Sequence, residues 1–156
     1  MWEDLIKKGV EIKFIMNLKS KDKRNVLKEL LEQTDLNKTK KQLVLNSLLN
    51  REKIGTTGFG DRIAIPHTRS LAVKRIYLII GKSEEGVDFE SIDNKPVNLI
   101  FLLIAPPVER KPLYLLLLGK IAKLCQKIIE DNFKCFNIKE EEEFKKYLEN
   151  LMEGEI

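Results

Sequence analysis

The sequence predicts an α/β layered domain on three observations: two long apolar runs that read as buried strands, helix-spaced apolar patterns around them, and no internal repeat or linker in 156 residues. The apolar runs are Ile76 to Ile80 and Val97 to Ala105, rich in Leu and β-branched residues and flanked by Gly, Asn and Pro. That is the pattern of strands covered on both faces, and it places both runs centrally in a sheet. The length suits a single domain over residues 1–156. A domain of about 150 residues buries roughly 68–70% of the surface its unfolded chain exposes, so it folds without staples.

The elements follow in order. Glu11 to Met16 mixes alternation with β-branched and aromatic residues and reads as a first strand. Ser20 stands ahead of Asp22, Lys23 and Arg24, and Val26, Leu27, Leu30 and Leu31 then fall at helical spacing, predicting a helix from Lys21 to Gln33. Thr34 to Asn37 breaks it. Asn37 is placed to cap a second helix, with Leu43, Val44, Ser47 and Leu48 on one face and an end near Glu52, before Gly55. Gly55 to Gly60, with three glycines in six residues, reads as a loop whose backbone comes close to a ligand or partner. Ile63-Ala64-Ile65 is a short buried strand stopped by Pro66, whose fixed φ directs His67 away from it.

Lys82 to Gly86 reads as a turn, Val87-Asp88-Phe89 as a further short strand, and Asp93-Asn94-Lys95-Pro96 as a turn before the second buried run. Pro112 opens a long helix that is apolar nearly all round, hence expected to be largely buried. A last helix follows Lys139 to Glu143, with Phe144, Tyr147, Leu148, Leu151 and Met152 on one face.

Composition excludes several functions. Lys plus Arg number 28 against 24 Asp plus Glu, a net charge of +4, and acidic residues interrupt nearly every basic cluster. With aromatics at 7% and none alternating with the basic clusters, this is a solvated surface and no nucleic-acid partner is expected. No apolar stretch reaches about 18 residues and the N-terminus lacks the long apolar core of a signal peptide, so a cytoplasmic protein without membrane insertion is expected. Cys125 and Cys135, with one histidine in the chain, cannot supply a four-ligand zinc site or a disulfide framework. They read as ordinary thiols, and no metal or cofactor is expected.

The chemistry gathers around His67, the only histidine, sixteen residues beyond Arg51 and following the Gly-rich loop. An imidazole with an ordinary pKa near 6.5 serves as proton shuttle, ligand or nucleophile. As a nucleophile, the neutral ring takes a phosphoryl group on one nitrogen, provided a carbonyl or carboxylate holds the other and selects the tautomer. The loop lacks the Gly-Lys-Ser/Thr ending of a nucleoside-triphosphatase loop and leads into a strand, which argues against nucleotide binding. It either offers N–H groups and the Thr56 and Thr57 hydroxyls to a phosphoryl oxygen, or is a plain turn. Arg51, Arg62 and Arg69 each solvate surface when taken alone; together with one histidine they make an anion-receiving site. Asp61 and Asp93 orient side chains or cap turns, and Phe59 is either a docking anchor or core.

The stretch from Arg51-Glu52 through Gly55-Thr-Thr-Gly-Phe-Gly60 to Ile63-Ala-Ile-Pro-His-Thr-Arg69 resembles the phosphorylation-site signature of EIIA domains of the mannitol/fructose type, which include the nitrogen-regulatory branch, in the bacterial phosphotransferase system. The resemblance covers nearly the whole chain. It implies a mixed β-sheet flanked by helices on both faces, His67 as acceptor of phosphate from HPr or its nitrogen-branch counterpart, and Arg51 steadying the phosphohistidine. By the resemblance Thr57 and Gly58 line the site; on their own chemistry Thr56 and Arg62 are further expected to contact phosphate or shape its loop, and Phe59 to meet a partner. With no further domain on the chain, the resemblance is to a free-standing EIIA that serves either an EIIB or a regulatory protein.

Three departures from the family pattern stand out. Many members carry a second histidine at the start of the helix after the Pro loop, where this chain reads Lys111-Pro-Leu-Tyr114. Asp61-Arg62 replaces a common Asn-Gly, and Thr68 follows the histidine where Gly, Ala or Pro is usual. The expected function is a phosphohistidine carrier; the alternative is an interaction module of the same fold, phosphorylated weakly or not at all.

Overall fold

Every residue of Val97–Ala105 is buried, and in the computed structural model, which describes residues 1–109 and 111–154, this run is the strand around which the others assemble. Residues 110, 155 and 156 of the expected domain lie outside the described residues. The strands are β1 (Glu11–Ile15), β2 (Gly58–Gly60), β3 (Ile63–Ala64), β4 (His67–Arg69), β5 (Tyr77–Val87) and β6 (Val97–Ala105). The helices are α1 (Trp2–Lys7), α2 (Lys23–Leu31), α3 (Lys38–Ile54), α4 (Leu113–Glu130) and α5 (Glu141–Glu153), with a 3-10 turn at Lys134–Asn137. The sheet runs β1-β5-β6-β3-β2, and β4 also pairs with β6. It is mixed: β1 lies parallel to β5, β3 and β4 lie parallel to β6, and β5–β6 and β2–β3 are antiparallel.

Alternation along β6 sorts the core into two layers. Leu99, Phe101 and Leu103 pack with Leu117, Ile121 and Leu124 of α4 and with Phe144 and Leu148 of α5. Ile100, Leu102 and Ile104 face Val26, Leu27 and Leu30 of α2 and Val44, Leu45 and Leu48 of α3. Each layer seals one side of an almost wholly apolar strand, which explains why β6 shows no hydrophobic alternation in sequence. Both predicted central strands are thus central, with helices on both faces.

Several boundaries differ from the sequence expectation. Asp22 caps α2 by accepting the Asn25 N–H at 2.9 Å, so the helix begins at Lys23 and not Lys21. Asn37 caps α3 as expected, through the Lys40 N–H at 2.9 Å. The buried face of α3 is Val44, Leu45, Leu48 and Glu52, while Leu43 is 52% exposed. Only one side of α4 is covered, for Leu115 and Leu116 are 61% and 59% exposed. The predicted turn at Lys82 to Gly86 is instead strand: β5 continues to Val87 through a register shift against β6, with Gly86 at φ +94°. Half of the Gly-rich loop becomes β2. Helix α1 was not expected; its six residues are too short to show periodicity, and contacts from the other end of the chain fix it, with Trp2 Nε1–H donating to the Lys145 carbonyl at 2.9 Å. Asp93-Asn94-Lys95 is the expected turn, with Asn94 at φ +58° and the Lys95 N–H on the Asp93 carboxylate. Cys125 and Cys135 are buried free thiols, and burial raises both pKa values.

Candidate active site

Strands β3 and β4 are two pieces of one path along β6. Ile63 and Ala64 pair with Leu99 and Ile100; after a two-residue break His67, Thr68 and Arg69 pair with Leu103, Ile104 and Ala105. His67 therefore opens a strand, where the sequence placed it just beyond one. The break falls at Ile65-Pro66 because Pro66 has no N–H to donate; its carbonyl still accepts the Leu103 N–H at 3.0 Å. Ile65 turns its N–H outward to the Thr57 carbonyl at 3.0 Å, and its own carbonyl meets Nδ1 of His67 at 2.7 Å. A carbonyl only accepts, so Nδ1 carries the proton and the Nε2 lone pair is the nucleophilic one. The ring is half-buried.

Behind this contact lies a carboxylate that the sequence reading left without a role. Glu52, 8% exposed near the end of α3, accepts the Thr57 N–H at 3.0 Å and the Thr57 hydroxyl, and pairs with Lys23 Nζ at 3.1 Å. A signal existed: Glu52 continues the spacing of Val44 and Leu48, and an acid on a buried helix face needs partners. Thr56 is similarly engaged, its hydroxyl donating to the Phe89 carbonyl at 3.2 Å and accepting the Gly58 N–H at 3.0 Å. Both threonine hydroxyls and the Gly58 N–H, expected as phosphate contacts, are thus occupied within the protein.

Positive charge reaches the histidine's end of the sheet from two sides. Helix α3 packs along β4 and carries Arg51, whose Nη1 donates to the Gly55 carbonyl at 2.8 Å and closes the helix end. Arg69, two residues beyond His67, donates to the Pro106 carbonyl at 2.9 Å and to Glu109 at 3.2 Å, and its guanidinium lies 4.4 Å from the centre of the Tyr114 ring. Glu109 also accepts the Tyr114 N–H at 3.2 Å, pinning the first turn of α4. Burial raises the Tyr114 pKa, the positive charges of Arg69 and Arg51 act against that rise, and Glu109 adds to it. One phenol thus senses both arginines.

The structure does not bring Arg62 to this group. Its Nε donates to Asn98 Oδ1 at 2.9 Å and its guanidinium lies 4.6 Å and 5.5 Å from the Phe136 and Phe133 rings. Asn98 precedes Leu103, the partner of His67, by five residues, about 16 Å along an extended strand. Phe59 stands in the middle of edge strand β2, 41% exposed between buried Gly58 and Gly60. A Cβ on Gly58 would lie 2.8 Å from the Ser91 Cα, so glycine there permits close backbone approach. Asp93 accepts the Asp61 N–H at 3.0 Å, the capping role among the two considered.

The chain matches the family "Phosphoenolpyruvate-dependent sugar phosphotransferase system, EIIA 2" over residues 10–151 and belongs to it. It is 39% identical over 94 residues to the PTS system fructose-specific EIIABC component of Bacillus subtilis, covering 58% of this chain and 14% of that protein. It is 39% identical over 90 residues to the nitrogen regulatory protein of Bradyrhizobium diazoefficiens, covering 57% of this chain and 59% of that one. The chain thus spans less than two thirds of either relative. Among solved structures, nitrogen regulatory protein IIA-Ntr from Neisseria meningitidis superposes with a TM-score of 0.70 at 28% identity, covering 92% of this chain and 99% of that one. The Escherichia coli complex of enzyme IIA for mannitol with phosphorylated enzyme IIB shares the fold, with a TM-score of 0.54 at 18% identity, covering 72% and 78% of the two chains. Among the described residues no helix is long and apolar enough to cross a membrane.

Proposed function

We propose that this protein is a cytoplasmic phosphohistidine carrier: His67 accepts a phosphoryl group on Nε2 from an HPr-type phosphocarrier or its nitrogen-branch counterpart. It then passes the group to an EIIB-type acceptor, or holds it as a regulatory signal. The observation that carries this reading is the 2.7 Å contact from Nδ1 to the Ile65 carbonyl, which leaves Nε2 as the attacking atom. As Nε2–P forms, the donor's N–P bond breaks and the donor nitrogen keeps its electron pair. The proton stays on Nδ1. Arg51 and Arg69 offset the phosphoryl charge, and positioning with charge neutralisation accounts for most of the catalysis in such transfers. The step as written uses neither metal nor nucleotide. Phe59, an apolar side chain exposed between glycines, is offered as a docking contact for the partner.

Incubation with enzyme I, HPr and phosphoenolpyruvate tests the proposal. Acid-labile, base-stable phosphate is expected on the wild type and absent from His67→Ala. Phosphate that persists in the variant, or none on the wild type, overturns it.

A regulatory reading has its own support in Tyr114, at the start of α4 where many relatives carry a second histidine. Capture of a regulator by a preparation that refuses phosphate would favour it.

A further inference from the structure

Resting on the phosphocarrier reading, we propose that Glu52 is a positioning residue for phosphoryl transfer at His67, acting through Thr57 and the Ile65 carbonyl. A buried carboxylate is tolerated only when its oxygens are bonded. Here Oε1 takes the Lys23 ammonium at 3.1 Å and the Thr57 N–H at 3.0 Å, while Oε2 takes the Thr57 hydroxyl. These are charge-assisted bonds, stronger than neutral ones. They fix Thr57 at its main-chain nitrogen and its side chain together, so that its carbonyl has one direction.

That direction meets the Ile65 N–H at 3.0 Å. Ile65, held at its nitrogen and followed by a proline of fixed φ, presents its carbonyl to Nδ1 of His67 at 2.7 Å. An unheld imidazole populates both neutral tautomers, and the Nε2–H form has no lone pair with which to attack. Glu52 thereby acts on the reacting nitrogen through two residues and touches neither phosphate nor donor. The competing account gives Glu52 the purely architectural task of tying α3 to α2 through Lys23.

Nitrogen-15 spectra of the His67 ring, together with phosphorylation rates at varied phospho-HPr, separate the two accounts. Glu52→Ala is expected to move the ring from the Nδ1–H form toward a tautomer mixture. It is also expected to lower the maximal rate about 10- to 100-fold, the size of effect that a small misplacement produces, with the donor KM unchanged. Glu52→Gln keeps an oxygen for the Thr57 N–H and should show the same changes in weaker form; it serves if Glu52→Ala does not fold. A variant with the wild-type tautomer overturns the inference whatever its rate, and so does a wild-type rate despite a changed tautomer. If the wild type accepts no phosphate, the carrier reading fails while the tautomer measurement still decides the role of Glu52.

Discussion

The side chain of His67 donates from Nδ1 to the main-chain carbonyl of Ile65, two residues back, at 2.7 Å. The contact exists because Ile65 faces away from β6, with its N–H on the Thr57 carbonyl, while the Thr57 N–H goes to Glu52 and leaves the Ile65 carbonyl open to the ring. It fixes which ring nitrogen is nucleophilic, so the phosphoprotein should carry phosphorus on Nε2 alone. Phosphorus–nitrogen coupling in a nitrogen-15-labelled sample reads this directly; coupling to Nδ1 would contradict the geometry.

Arg51 reaches the same end of the sheet from α3, with Gly55 as its hydrogen-bond partner among the described residues. Loss of one donor to developing charge costs on the order of 100-fold in rate, and Arg51→Ala should show a loss of that size. Arg51→Lys keeps the charge without the planar fork and should recover part of it. Circular dichroism should be unchanged in both, and stopped-flow phosphorylation measures the rates.

Tyr114 is anchored through its N–H by Glu109 and through its ring by Arg69; a phenol is ordinarily protonated at neutral pH, and burial moves its pKa further up. A protonated phenol donates, so Tyr114→Phe isolates the hydroxyl while keeping the ring in place. The expected stability change is under about 1 kcal/mol, since no bond within the described residues is lost. Transfer should slow about tenfold, less than for a sole charged donor. An unchanged rate would remove Tyr114 from the site and strengthen the regulatory alternative.

How much of this was legible in the sequence follows from the physics of each element. The β6 run, the Asn37 cap and the break at Pro66 are local signals and appear where they were read, although His67 opens β4 instead of lying beyond a strand. The interior of β5 was not, because Lys82 is buried with its amine on the Ile138 carbonyl at 2.7 Å, so charge there mimicked a turn. Thr56 and Thr57 offered hydroxyls on paper, but their partners Phe89 and Glu52 become visible only once the fold joins them. Arg62 lay close to His67 in sequence, yet extended backbone carries it away.

Arg62 also carries a prediction. Asp61 and Arg62 take φ of +50° and +70° in the tight connection between β2 and β3, the conformation for which Asn-Gly is preferred. A non-glycine residue there costs about 1–2 kcal/mol, whereas the bond to Asn98 and the ring contacts return about 1–2 kcal/mol. The opposing effects nearly cancel. Arg62→Gly should therefore change stability by less than about 1 kcal/mol in urea titration and leave the phosphorylation rate untouched. A slowed transfer would return Arg62 to the phosphate site.

Acid sensitivity should centre in part on Glu29. Burial alone would raise its pKa, but the Ser20 hydroxyl at 2.7 Å, the N–H groups of Ser20 and Lys19, and the Lys19 charge more than offset this, holding the carboxyl below its ordinary 4.5. The unfolded chain therefore binds this proton first as pH falls. The stabilisation is full above the ordinary value and disappears as pH drops through the lower folded one. Urea midpoints for the wild type and Glu29→Gln between pH 7 and pH 3 isolate the effect from other lowered carboxyls such as Asp22 and Asp93. The wild type should lead above pH 5, and the gap should narrow steadily below 4.5. A gap independent of pH would mean that the loop at Lys19 and Ser20 is held by shape and not by the carboxylate's charge.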